Sequence, residues 1–281
     1  MSRMAGFEGK RGRNMLCVQR YKVRNETLLP FVKHIWHLEE KSADIHYQLL
    51  PTDHIDVLIN LADSMYYEAE GRRLRAPSCH INGLRSNYSY IHQTGTASVY
   101  GITFYAYGLY PFIRRPLDLK DRIVGLDTLS PILSVKLSEA ALHGSAKEVI
   151  GRMEQALESE WAVASGDLQK MELIRRFMDE TALTSVREFC DQNQVNIRTF
   201  ERITVRYTGY TPNILRQIKR FQVVSNQLVH RQSNLTDLAY VNDYADQSHL
   251  IKEFRRFSGK APGKFRTAKE SVKENIRYDN S

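Results

Sequence analysis

Residues 246–262 read Asp-Gln-Ser-His-Leu-Ile-Lys-Glu-Phe-Arg-Arg-Phe-Ser-Gly-Lys-Ala-Pro, and residues 196–212 read Asn-Ile-Arg-Thr-Phe-Glu-Arg-Ile-Thr-Val-Arg-Tyr-Thr-Gly-Tyr-Thr-Pro. Each stretch opens on a residue whose side-chain oxygen can take an orphan amide proton of a first helical turn. Each closes on glycine, which tolerates the left-handed region where helices commonly stop, with a proline just beyond that cannot continue a helix. Between these marks the apolar residues keep helical spacing. Phe200, Ile203 and Tyr207 share one face, as do Leu250, Phe254 and Phe257.

A shorter amphipathic stretch precedes each copy and ends in a small residue, Cys190 or Ala239, where two helices can cross closely. The turns that follow run through Gln192-Asn193 and Asn242-Asp243, residue types that accept positive φ. Short helix, turn, longer helix, twice over, is the pattern of a duplicated helix-turn-helix. Between the copies, Ile214, Ile218, Phe221 and Leu228 predict a linking helix from Pro212 to about His230. Ahead of them a helix is expected from Asp167, as its cap, to about Thr181.

These residues resemble the AraC/XylS family of bacterial transcription regulators, whose DNA-binding domain joins two such motifs by a long helix. The run 246–250 through Phe254, Gly259 and Pro262 carries the likeness in the second motif, and Arg198, Arg202, Gly209 and Pro212 carry it in the first. Two positions depart from the family pattern. Asp243 stands where a turn glycine is usual, and Thr204 where an apolar core residue is usual, so the first motif is expected to pack less well unless Ile203 and Val205 turn inward.

The resemblance implies base-facing positions at Arg198, Glu201 and Arg202 of the first recognition helix and at Gln247, Ser248, Ile251 and Lys252 of the second. Arginine can grip guanine with two hydrogen bonds, glutamate can accept from cytosine, glutamine can read adenine and an aliphatic side chain can touch the thymine methyl. Arg206, Arg255, Arg256 and Lys264 are candidates for phosphate contacts.

Charge agrees with this placement. Residues 161–281 hold 20 Lys/Arg against 14 Asp/Glu, whereas residues 1–160 hold 20 against 18, so the basic surplus lies with the duplicated motif and suits a polyanionic partner. The N-terminal Lys10-Arg11-Gly12-Arg13 reads as a solvated tail. Three scattered cysteines, Cys17, Cys79 and Cys190, form neither a disulfide framework nor a zinc pattern. With neither an apolar leader nor a spanning segment, the cytoplasm is the expected compartment and no membrane partner is expected.

From about residue 20 to 130 short alternating runs predict strands, at 56–61, 80–82, 86–91 and 99–107, in a small barrel or sandwich. In the last run Tyr100, Ile102, Phe104 and Ala106 share one face, with Thr103, Tyr105 and Tyr107 on the other. The family resemblance implies a cupin-like sensing or dimerisation domain here. Six histidines fall in residues 34–92, but there is no His-x-His, and His34 and His37 lie three apart, so in a strand they point to opposite faces; no metal site follows. Apolar positions between Ser130 and Trp161 predict helices, which pack on the barrel or dimerise.

The expected architecture is α+β: a β-rich barrel with trailing helices over residues 1–160, then an all-α domain over 167–268 with two helix-turn-helix motifs and a linking helix. The expected function is a sequence-specific transcriptional regulator of double-stranded DNA. A small-molecule effector, a homodimer and, for an activator, RNA polymerase are the further partners. No cofactor motif is present. An enzyme targeted by its DNA module is disfavoured, because residues 1–160 carry no paired catalytic carboxylates or activated cysteine motif. A third class is an architectural protein in which the first motif no longer touches DNA.

Overall fold

The computed structural model describes residues 16–180, 184–230, 234–265 and 276–280. The basic run 10–13 lies outside them. In chain order the elements are β1 (Leu16–Tyr21), β2 (Val32–Leu49), β3 (His54–Asn60), β4 (Tyr66–Ala69), β5 (Arg72–Arg75), β6 (Cys79–Asn82), β7 (Ser89–Tyr105), α1 (Tyr110–Ile113), β8 (Ile123–Gly125), α2 (Leu126–Leu129), α3 (Pro131–Ala140), α4 (Ala146–Glu160), α5 (Ser165–Asp179), α6 (Val186–Gln192), α7 (Ile197–Thr208), α8 (Pro212–His230), α9 (Leu235–Val241), α10 (Gln247–Ser258) and β9 (Ile276–Asn280).

One sheet of nine strands runs β8-β6-β3-β7-β2-β1-β9, with β4 also paired to β7 and β5 to β4. Its pairings are antiparallel except β1 with β9. The long strands β2 and β7 form a ribbon broken by a register shift between Glu40 and Ala43. That irregularity bends the ribbon, as bulges do, so Leu38 and Val99 from one part meet Ile45, Tyr47 and Ile91 from the other in a core enclosed by strands. The opposite face carries Ile35, Val57, Ile102 and Phe104 and packs against α3 and α4 through Leu133, Leu137, Met153 and Leu157. Trailing helices therefore bury their stripe against the sheet, while Ile132 and Val135 of α3 remain exposed.

The expected strands at 86–91 and 99–107 are one strand, because Gly95 at φ 97° absorbs the bend without ending the pairing. The face assignment holds for Tyr100, Ile102, Phe104 and Ala106, but Tyr107, expected on the other face, lies in the same core and bonds the Pro30 carbonyl at 3.2 Å. His37 stacks on Tyr100 at 4.2 Å, while His34 pairs across to Thr103 on the other face.

Met171, Ile174 and Phe177 of α5, with Phe189 and Phe200, join the same core cluster as the sheet and α3 and α4. The second motif has its own core around Phe221, Leu250, Phe254 and Phe257, into which Leu50 of the sheet domain inserts. Among the described residues, no helix is long and apolar enough to cross a membrane, and no group of three or more His, Cys, Asp or Glu could hold a metal ion.

Candidate nucleic-acid interface

Both longer helices start and stop as their sequences demand. Asn196 Oδ1 accepts from the Arg198 amide at 2.9 Å, and Asp246 Oδ1 from the His249 amide at 2.7 Å. Gly209 at φ 79° and Gly259 at φ 69° end α7 and α10, their amides donating to the Val205 and Arg255 carbonyls at 2.9 and 2.8 Å. Phe200, Tyr207, Leu250, Phe254 and Phe257 are fully buried.

The left-handed residue of each turn is Gln194 at φ 53° and Asp243 at φ 55°. Asp243 lies within the expected turn. In the first motif the position falls one residue later than Gln192-Asn193, since Asn193 sits at φ −98° and keeps its amide on helix carbonyls. Both left-handed residues stand four after the crossing residue, and the amides of Val195 and Tyr244 reach back to the Cys190 and Ala239 carbonyls, each at 3.0 Å. From the left-handed residue to the cap of the recognition helix is two steps in the first copy and three in the second, so the copies differ by one residue after the turn.

Thr204 is fully buried and its hydroxyl donates to the Phe200 and Glu201 carbonyls, at 3.1 and 3.0 Å. Ile203 is half-buried and packs against the core, whereas Val205 is exposed, and Thr204 itself keeps the core position. Back-bonding to its own helix lets a hydroxyl occupy a core position without an orphaned polar atom. Asp167 does not cap α5, which begins at Ser165 behind Ala164; its carboxylate instead takes the Tyr207 hydroxyl, a bond that holds it below the usual carboxylate range.

Arg198 and Arg202 are exposed on the first two turns of α7, and Gln247, Ser248 and Lys252 on those of α10. Among the described residues, Arg198, Arg202 and Lys252 make no ion pair. Glu201 is half-buried, and Ile251 is half-buried against the second motif's core while bordering a shallow groove with Ser248, Lys252, Arg255 and Arg256. Arg206, exposed on α7, donates to the Tyr110 hydroxyl at 3.0 Å, in the contact with the sheet domain.

Those contacts gather at the C-terminal ends of both recognition helices. The Leu117 amide donates to the Arg206 carbonyl at 3.2 Å, Tyr210 to the Leu84 carbonyl at 2.8 Å, and Gln48 to the Ser258 carbonyl at 2.7 Å. In the N-terminal turns Arg198, Arg202, Ser248 and Lys252 are exposed, as is Gln247, which accepts from the Thr236 hydroxyl at 3.1 Å. Sequence reasoning missed Gln48, Leu50, Leu84 and Leu117, whose partners lie far along the chain and leave no local periodicity.

The helix-turn-helix domain family matches residues 189–268, and a domain of unknown function, DUF6597, matches residues 25–124. The C-terminal part of the chain is thus a helix-turn-helix domain of the AraC type, the DNA-binding module of transcription regulators. No curated protein matches the chain. ToxT from Vibrio cholerae O395 is similar at 13% identity and a TM-score of 0.42, over 83% of this chain and 96% of that one. ToxT of Vibrio cholerae strain SCE256, bound to an unsaturated fatty acid, is similar at 13% and 0.42, over 82% and 96%. A transcriptional regulator from Chromobacterium violaceum with an AraC-type DNA-binding domain is similar at 16% and 0.33, over 37% and 95%.

Proposed function

We propose that this protein is a sequence-specific transcriptional regulator whose two recognition helices enter successive major grooves on one face of a duplex. The observation that carries this reading is the repeated orientation: each recognition helix is anchored at its C-terminal stop and presents an exposed N-terminal half bearing unpaired cations. Recognition helices contact base edges with their N-terminal residues. The linking helix α8 has 19 residues, about 28 Å at 1.5 Å per residue, on the scale of the roughly 34 Å between successive turns of a groove.

In this reading Arg198, Glu201 and Arg202 read one half-site, and Gln247, Ser248, Ile251 and Lys252 the other. Residues 1–160 form the unit that senses a small-molecule effector, dimerises, or does both, and residues 167–268 form the reading unit. RNA polymerase is a partner where the protein activates.

Selection of randomised duplexes on the full chain at physiological salt tests it. The expected result is a pair of enriched short motifs about one helical turn apart. Enrichment of a single half-site would reduce the first motif to a structural element.

A further inference from the structure

The loop between β6 and β7, residues 83–88, touches both recognition helices from outside and the strand-enclosed core from inside. Outward, the Leu84 carbonyl takes the hydroxyl of Tyr210, the residue after the α7 stop. The Tyr88 ring lies against the α10 stop, where a Cβ on Gly259 would come 2.7 Å from its Cζ. Inward, the loop buries Arg85, which is 6% exposed.

Arg85 Nη1 donates to Ser89 Oγ at 2.6 Å and Nη2 to Asn82 Oδ1, with the guanidinium 5.4 Å from the Tyr67 ring centroid. Its Nε is buried without a partner. Among the described residues, no carboxylate lies within ion-pair distance of it. A guanidinium cannot shed its charge at neutral pH, and a buried charge is costly unless it is paired. Arg220, equally buried, meets this requirement with the Glu253 carboxylate; Arg85 hydrogen-bonds only neutral groups, and the Asp121 and Asp56 carboxylates act on it from beyond ion-pair distance.

The surroundings are polar in a continuous row. Asn82 pairs across to Asp56, Asp56 to Thr103, and Thr103 to His34, on one face of four adjacent strands. Asp56 is engaged by the Thr103 hydroxyl at 2.6 Å and lies 3.6 Å from His54 Nε2. At the far end His34 Nε2 is buried and has no partner, about 14 Å from Asn82 along the sheet at the usual strand spacing. An unpaired cation at one end and an unpaired imidazole nitrogen at the other suit an organic anion with a polar group at its far end better than a bare ion.

We propose that Arg85 is the anchor of a ligand site for a small organic molecule bearing an oxyanion, a carboxylate or a phosphate, and that the loop 83–88 carries its occupancy to both recognition helices. This rests on the sensing role proposed above and gives the effector a chemistry. The anion supplies the counter-charge that Arg85 lacks and an acceptor for Nε. Because Leu84 and Tyr88 flank the anchor and touch Tyr210 and Gly259, any shift of Arg85 toward a ligand moves the supports of both motifs.

Thermal unfolding of the full chain tests the site without DNA. The probes are benzoate, citrate, glycerol 3-phosphate and inorganic phosphate at matched ionic strength, with benzamide and glycerol as neutral counterparts. At least one organic anion should raise the melting temperature by about 2 °C or more while its neutral counterpart does not. Arg85→Met should raise the melting temperature of the unliganded protein by a similar amount and abolish the response. Arg85→Lys, which keeps the charge and loses the Nε donor, should fold normally with a weakened response. Overturning results are a lower melting temperature for unliganded Arg85→Met, which marks a structural arginine, no anion that separates wild type from the variants, or a response to inorganic phosphate alone.

On a selected duplex, the active anion should change the wild-type Kd at least threefold and that of Arg85→Lys less; unchanged wild-type affinity overturns the coupling. Failure of duplex selection with an intact anion response would remove the regulator reading and leave the site.

Discussion

Arg220 of the linking helix donates to both carboxylate oxygens of Glu253 in the second recognition helix, through Nη2 at 2.9 and 2.8 Å, and both side chains are 5% exposed. Arg220 also holds the Asp243 carbonyl at 2.8 Å and stacks on Tyr244 at 4.0 Å, so a single guanidinium ties α8, the left-handed turn residue and α10. Glu253→Ala should cost about 3–5 kcal/mol by leaving a buried cation unpaired. The double change Arg220→Met with Glu253→Leu should recover much of the loss. Chemical denaturation of the three proteins reads this directly, and a double variant no more stable than Glu253→Ala would refute it.

The two helix stops differ in what lies against them. A Cβ on Gly209 would come 2.7 Å from the Leu117 carbonyl oxygen, which is backbone, whereas on Gly259 it would meet the Tyr88 ring, which can turn. Left-handed backbone costs a non-glycine residue about 1–2 kcal/mol. Gly259→Ala should lose about that much, and Gly209→Ala more. Equal losses would mean that the Leu117 contact gives way freely.

Thr204→Val keeps the shape and removes a hydroxyl that bonds only its own helix. The change should move stability by no more than about 1 kcal/mol, measured by thermal or urea unfolding. A larger loss would mean that the hydroxyl holds more than its own helix.

The sequence pattern reveals both recognition helices because their information is local: cap, stripe and stop all fall within 196–212 and 246–262. It misjudges Thr204 because residue type alone does not show where a hydroxyl finds its acceptor. It splits β7 because Gly95 reads as a turn signal, although the chain there only bends. It assigns Asp167 to a cap because the competing donor, Tyr207, is 40 residues away. Arg85 and Leu84 are invisible at that level, since their meaning lies in what the fold brings beside them. The proposed base contacts rest on the resemblance of their positions and, for all but the half-buried Glu201 and Ile251, on their exposure.

Acid should destabilise the protein through His80. Its Nε2 lies 3.0 Å from the Tyr67 hydroxyl and its Nδ1 2.7 Å from the Pro77 carbonyl, and burial holds it down at about 4. In the unfolded chain the imidazole takes up a proton near pH 6.5. This stability is therefore complete above about pH 6.5 and is lost as pH falls toward 4, by up to about 1.4 kcal/mol per pH unit. Burial and nearby cations hold His34 at about 3, which adds in the same direction. Urea midpoints at pH 7, 5.5 and 4.5 should fall in that order, and His80→Gln should flatten the slope. An unchanged slope would assign the acid sensitivity to other groups.

Two-groove reading by one chain requires both motifs to lie on one face of the duplex, so the helical phase of a selected duplex decides whether both recognition helices can engage. Inserting half a turn, about five base pairs, between the two enriched motifs rotates one to the opposite face. With α7 and α10 held by one linking helix and one sheet domain, affinity should fall by about 100-fold or more, toward nonspecific binding. Affinity unchanged by the insertion would mean that only one recognition helix reads sequence.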